Sequence, residues 1–266
     1  NPTTNTAAWF TANVPNAPTC YYECPITAPQ ALITEITSGD SAVAEGTMPY
    51  NYYPEASQWV DKRNLLQKLM QTTGLSDGNI LMAGFKTNLE NTAMAQLVTA
   101  NQNIISLFAI NEAQKNGLDS YAQITTGLLT QLDYVDSLIH ATLDAVTLEA
   151  INVQRDSLIT LLEEIQSVSE SLANTLIQQT LDGVPAVLTD LESIVPDNVY
   201  EANEQYVLGV YLHTLYSGNQ TAVNTIDSLY NIGRECPMVN GPSVYNARFL
   251  YEKLTGIVLP EADCPE

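Results

Sequence analysis

From Ser57 almost to the C-terminus, apolar side chains return every three or four positions, with polar residues between them. That spacing places them on one face of a helix rather than on alternate faces of a strand. The first such segment, "SQWVDKRNLLQKLMQTTG", carries Trp59, Leu65, Leu66, Leu69 and Met70. Ser57 is its expected N-cap and Gly74 its stop. After the Asp77-Gly78 turn a second helix is expected from about Asn79 or Phe85 to Gln114, through Leu89, Met94, Leu97, Ile104, Ile105 and Phe108. Asn116-Gly117 should end it.

Between Ser120 and Asp182 no Gly or Pro follows Gly127. Two apolar seams run through this stretch: Leu128, Leu132, Val135, Ile139, Leu143 and Val146, then Leu158, Leu161, Ile165, Val168, Leu172 and Leu176. Each uses the three- and four-residue steps of a coiled-coil seam. They are out of phase across Ala150 to Ser157. The absence of breakers favours one long, kinked helix, about 90 Å at 1.5 Å per residue; the phase slip leaves a helical hairpin as the alternative. Three shorter helices follow. Asp197 is the expected cap of the first, which stops at Gly218; the second stops at Gly233; the third runs from Ser243 to Gly256.

Residues 1–56 differ. More than half of the 13 prolines lie there, in a Thr- and Asn-rich context, so an irregular segment is expected. The fold class is therefore all-α: a helical bundle or helical-hairpin array with one long or kinked central helix. Its parts are an irregular segment (1–56), a helical domain (57–256) and a C-terminal tail (257–266).

Charge narrows the partners. Thirty acidic residues stand against nine basic ones, a formal net charge of −21, and no Lys or Arg precedes Lys62. A nucleic-acid partner requires clustered cations, and an anionic membrane surface is disfavoured for the same reason. Apolar runs such as Ile104 to Ile110 fall short of a membrane span. No charged segment leading into an apolar one marks a signal peptide, and the start at Asn1-Pro2 suggests a processed piece of a larger secreted protein.

Four cysteines permit three pairings. Proximity in the chain favours Cys20–Cys24 and Cys236–Cys264. Thiolate spacing for zinc is absent apart from one CxxxC. A Cys236–Cys264 bond would tie the tail to the start of the last helix. It would stabilise by about 3–4 kcal/mol on a chain-entropy estimate.

Candidate chemistry is sparse. Asp136, His140 and Asp144 share a helix stripe, with Asp133 nearby; read against the Leu seam they form a solvated polar face. His213 reads as a packed or half-exposed helix residue, and Glu163-Glu164 as an acidic face. Tyr50, Tyr52 and Tyr53, in "MPYNYYPE", are candidates for binding a glycan or peptide. No catalytic residue, metal ligand or cofactor is expected, and no nucleophile, phosphate-loop or dinucleotide motif occurs.

The C-terminal third resembles a helical region of large bacterial surface proteins exported by the type IX secretion pathway. The residues that carry the resemblance are Asn203-Glu204, Tyr211-Leu212, Cys236-Pro237, Gly241 and Val244-Tyr245-Asn246-Ala247-Arg248, with the upstream helix Trp59 to Met70. It covers roughly 59–254, and Asn-Gly-Pro stands where the pattern has Gly-Gly. In such proteins a β-sandwich sorting domain usually follows. The resemblance implies no catalytic residue and no cofactor. It implies a non-catalytic extracellular spacer or scaffold of a cell-surface protein, such as an adhesin. Its partners would be other domains of the parent or neighbouring subunits, with no nucleic acid and no membrane insertion. The alternatives are a self-assembling filament or surface-layer subunit, whose N-terminal arm pairs with a neighbour, and a secreted glycan- or peptide-binding domain.

Overall fold

The computed structural model describes residues 35–142, 144–217, 223–262 and 264. Among them the protein is 79% helical and has no strand, so the all-α reading holds. Cys20 and Cys24 lie outside the described residues.

Local chemistry starts each helix. Thr37 and Asp40 form a capping box at α1 (Ser38–Glu45). Pro54, whose missing N–H costs nothing in the first turn, opens α2 (Pro54–Gln71). Asn79 caps α3 (Ile80–Leu89), and Thr92 caps α4 (Ala93–Leu107). A second capping box, Asn111 with Gln114, starts α5 (Glu112–Ala141). Asp144 accepts from the Thr147 amide at the head of α6 (Ala145–Glu192). α7 (Val199–Ser217), α8 (Val223–Gly233), the single turn α9 (Pro237–Asn240) and α10 (Ser243–Thr255) complete the chain. Gly256, left-handed at φ 72°, closes α10.

Three apolar clusters hold these helices. The first joins α1, α2, α3 and the start of α4 around Trp59, Leu66, Leu69 and Met82. The second joins α4, the end of α6 and α7 around Leu97, Val184, Leu191 and Leu212. The third joins α7, α8 and α10 around Leu229, Ala247 and Leu250. α4 and α7 are each shared between two clusters, so they set how the two ends of the bundle meet. α5 instead packs chiefly on α6, as an antiparallel hairpin.

Several boundaries differ from expectation. The segment expected to be irregular contains α1. α2 begins at Pro54 and not at Ser57, because Tyr53 takes a left-handed conformation (φ 45°) and its carbonyl accepts the Ser57 amide. Asn116-Gly117 does not end a helix. The break comes at Phe108 to Asn111, and Gly117 sits inside α5, where a Cβ would lie 3.4 Å from Leu172 of α6. Residues 120–142 and 144–182 are the two arms of a hairpin, the first helix ending at Ala141 and the second beginning at Ala145, with no break in the 150–157 region. Thr142 is extended and Asp144 caps the next helix, so no Gly or Pro is needed. A long helix is present, but it is α6, with 48 residues. It passes straight through Gly183 and Pro185. At Gly183 a Cβ would stand 2.5 Å from Leu107 Cδ2, so glycine there serves close packing against α4.

Asn198, not Asp197, caps α7, its Oδ1 accepting the Glu201 amide at 3.0 Å. Ser243 is the first residue of α10 and buried, with Pro242 as N-cap. Leu161, Val168 and Val146 are exposed beside the hairpin seam rather than in it. Finally, the bent helical run Ala93–Ala141 does contain a window of mean hydropathy 1.2, long and apolar enough by composition to cross a membrane. In the fold, α4 places Leu97, Val98 and Ile104 of that run in the core.

Candidate functional site

Of the residues that carry the resemblance, Trp59, Asn203, Glu204 and Gly241 come together where α2, α7 and α9 meet, whereas Tyr211 and Leu212 pack toward α4 and α6. On α2, Arg63 points at Glu204 of α7, and both side chains are mostly buried. Arg63 Nε donates to Glu204 Oε2 at 2.8 Å and Nη2 donates to Oε1. This two-pronged guanidinium–carboxylate contact fixes orientation as well as charge. One turn earlier, Trp59 Nε1 donates to Glu201 Oε1 at 3.4 Å, and the Asp197 amide donates to Glu201 Oε2 at 2.8 Å. The Trp59 ring lies 5.4 Å from that of Tyr200, centroid to centroid. Burial, with the nearby Glu55 charge second, raises the Tyr200 phenol above its ordinary value.

Asn203 Nδ2 donates to the Asn240 carbonyl at 3.2 Å, which holds the α9 turn on α7. Gly241 follows at φ 86°, ψ 170°, a region open almost only to glycine. A Cβ there would also meet Tyr200 Cδ1 at 3.3 Å.

Arg248 on α10 reaches backward. Its guanidinium donates to the carbonyls of Gly233 (3.0 Å), Leu259 (2.9 Å) and Pro260 (2.6 Å). A cation there satisfies the orphan carbonyl end of α8 and straps the tail beside it. Cys236 and Cys264 stand at disulfide distance, with Cα atoms 5.0 Å apart. Gln205 Nε2 donates to the carbonyls of Leu191 and Ile194, both at 2.8 Å, and so finishes α6. Each of these polar groups is spent on another part of the chain.

The tyrosine loop gives its residues three settings. Tyr50 is half-buried. Burial, with the Asp61 carboxylate second, pushes its phenol up to about 12. Tyr52 is 80% exposed, and Tyr53 is the left-handed residue before α2. Three shallow grooves of about 350, 530 and 300 Å³ lie elsewhere, and none is lined by these tyrosines. The smallest adjoins the junction, between Trp59, Tyr200, Glu55 and Asp197.

The acidic and histidine candidates are separated by their partners. Asp136 accepts from Arg155 Nε at 2.7 Å across the hairpin. Asp144 is the α6 cap, and its hydrogen bonds from Thr147 hold its carboxyl below the ordinary value. His140 is exposed on the last turn of α5. His213 lies 3.4 Å from Glu192 in an exposed pair. Glu163 and Glu164 are exposed on α6. No group of three or more His, Cys, Asp or Glu is gathered among the described residues.

The sequence pointed at Asn203, Glu204, Cys236, Gly241 and Arg248, but not at what they hold. Arg63, Glu201 and Gln205 were missed as partners. The available signal was the lone Arg63 on the buried face of α2, in register with Trp59 four residues earlier.

Comparison of the chain with family models, with curated proteins and with solved structures gives no match.

Proposed function

We propose that this chain is a non-catalytic helical spacer or scaffold of a large extracellular cell-surface protein. One observation carries the reading: Arg63, Glu204, Asn203 and Arg248 of the resembling segment are engaged with other parts of the chain, by Arg63–Glu204, Asn203–Asn240 and the Arg248 strap. Groups that served catalysis would need a free face toward a substrate. Groups that buttress a junction need none. The close Cys236–Cys264 pair suits an oxidising compartment. Partners would then be flanking domains of the same parent or neighbouring subunits, with no nucleic acid among them. The test is immunolabelling of intact producer cells with antibody against this chain, joined to a non-reducing immunoblot. Surface labelling together with a band far above 29 kDa is expected. Labelling only after lysis, or turnover of a small substrate by the purified chain that Glu201→Gln or Glu204→Gln abolishes, would overturn the reading.

A further inference from the structure

The hairpin arm carries an apolar face that nothing among the described residues covers. At 3.6 residues per turn, Val146, Ala150, Val153, Ser157, Leu161 and Val168 fall on one side of α6. Their large members are open to solvent: Val146 78%, Val153 61%, Leu161 46% and Val168 48% exposed. This stripe is distinct from the seam that meets α5, where Leu158 is buried and Leu162, Ile165, Leu172 and Leu176 are half-buried. The two lines lie about 100° apart around the helix at that pitch. From Val146 to Val168 the outer stripe runs about 33 Å at 1.5 Å per residue.

Charge beside the stripe decides what fits it. Glu149 and Asp156 lie about 60–80° to one side of Val146 and Val153 at that pitch, Glu164 stands within the stripe, and all three are exposed. None of them makes an ion pair among the described residues. α6 holds a single cation, Arg155, and Asp136 occupies it. A second copy of the chain would bring the same acids against these, where facing flank positions of paired helices require opposite signs.

We propose that this face of α6 docks an amphipathic helix of a different protein, one with an apolar stripe flanked by Lys or Arg. The apolar stripe would supply affinity, and Glu149, Asp156 and Glu164 register and orientation. The proposal goes beyond the spacer reading and is independent of it: its failure would leave a spacer without a bound helix.

The probe is a synthetic four-heptad helix with Leu at the two core positions and Lys at the flanking ones. Its control carries Glu at the flanking positions. Titrated against the full chain, the Lys peptide should bind at least about tenfold more tightly than the Glu peptide. Val153→Asp with Leu161→Asp should weaken it at least about tenfold. Both sites are exposed, and far-UV circular dichroism checks that the fold survives. Reversing Glu149, Asp156 and Glu164 to Lys should switch the preference to the Glu peptide. Equal binding of both peptides, no binding, or binding indifferent to the Asp pair would overturn the proposal. So would a dimer in sedimentation that the Asp pair dissolves, since a second copy would then cover the face.

Discussion

α4 and α5 are consecutive helices in one bent run, yet they solve burial differently. The 15 residues of α4 bury seven side chains; the 30 residues of α5 bury one, Val135. α4 lies among α2, α6 and α7, so a broad part of its circumference is covered. α5 has chiefly α6, and two helices facing only each other cover a narrow seam. The comparison teaches that apolar periodicity reports which side of a helix wants cover, not how much cover it obtains. Stability should therefore be concentrated in the compact part, with the hairpin as an extension that fails more easily and matters less to the rest.

The largest expected losses lie in the compact part. Glu204→Ala leaves Arg63 charged and mostly buried without its carboxylate, which costs about 3–5 kcal/mol. Denaturant unfolding reads the loss, and Glu204→Leu with Arg63→Met should recover most of it. A single change that costs nothing would mean that water already reaches this pair. Cys236→Ser comes next, at about 3–4 kcal/mol. Hydrogen exchange should quicken over α10 and the tail while α5 keeps its protection. Loss of protection in the hairpin as well would show that the two parts unfold as one.

The contrast itself is tested by one substitution in each helix. Leu97, fully buried, should cost about 2–5 kcal/mol when changed to Ala. Leu172, half-buried on the hairpin seam, should cost about 1 kcal/mol, since roughly half the transfer free energy of a leucine is at stake. Equal costs would break the comparison.

That gradient also explains what was legible. The all-α class follows from period and caps, which are local. Gly256 stops α10 as read, because a left-handed cap is the residue's own property. Cys236 and Cys264 came together because both flank the last helix. Gly117 misled because a glycine that lets two helices approach looks, in one dimension, like a glycine that ends one. The hairpin turn was hidden because Asp144 caps α6 without help from Gly or Pro. Arg63 and Glu204, 141 residues apart, leave no local signature of their meeting. The exposed α6 stripe was folded into the seam because Leu161 and Val168 keep helical steps as well as Leu162 and Ile165 do.

The smallest expected effect is a pH response that can be placed in one helix. Burial alone would raise the Asp40 carboxyl, but hydrogen bonds from Lys68 and from the Thr37 amide and hydroxyl hold it below its ordinary value. Lys68 Nζ donates to Asp40 Oδ2 at 2.6 Å. A carboxyl whose folded pKa is depressed adds stability that is present above its unfolded value, about 3.9. That stability is lost as pH falls through the lower, folded value. Hence α1 should stay docked on α2 at neutral pH and loosen below about pH 4. The whole chain feels an opposite force there: protonating thirty carboxylates relieves the repulsion of a −21 charge. Global unfolding would blur the two, so the readout is hydrogen exchange at Ser41 and Val43 compared with Leu97. In the wild type the α1 amides should lose protection first on acidification. In Asp40→Asn they should be weakly protected at every pH and show no step. A step that survives Asp40→Asn would assign the response to another group, and one shared by Leu97 would make it global rather than a property of the α1 latch.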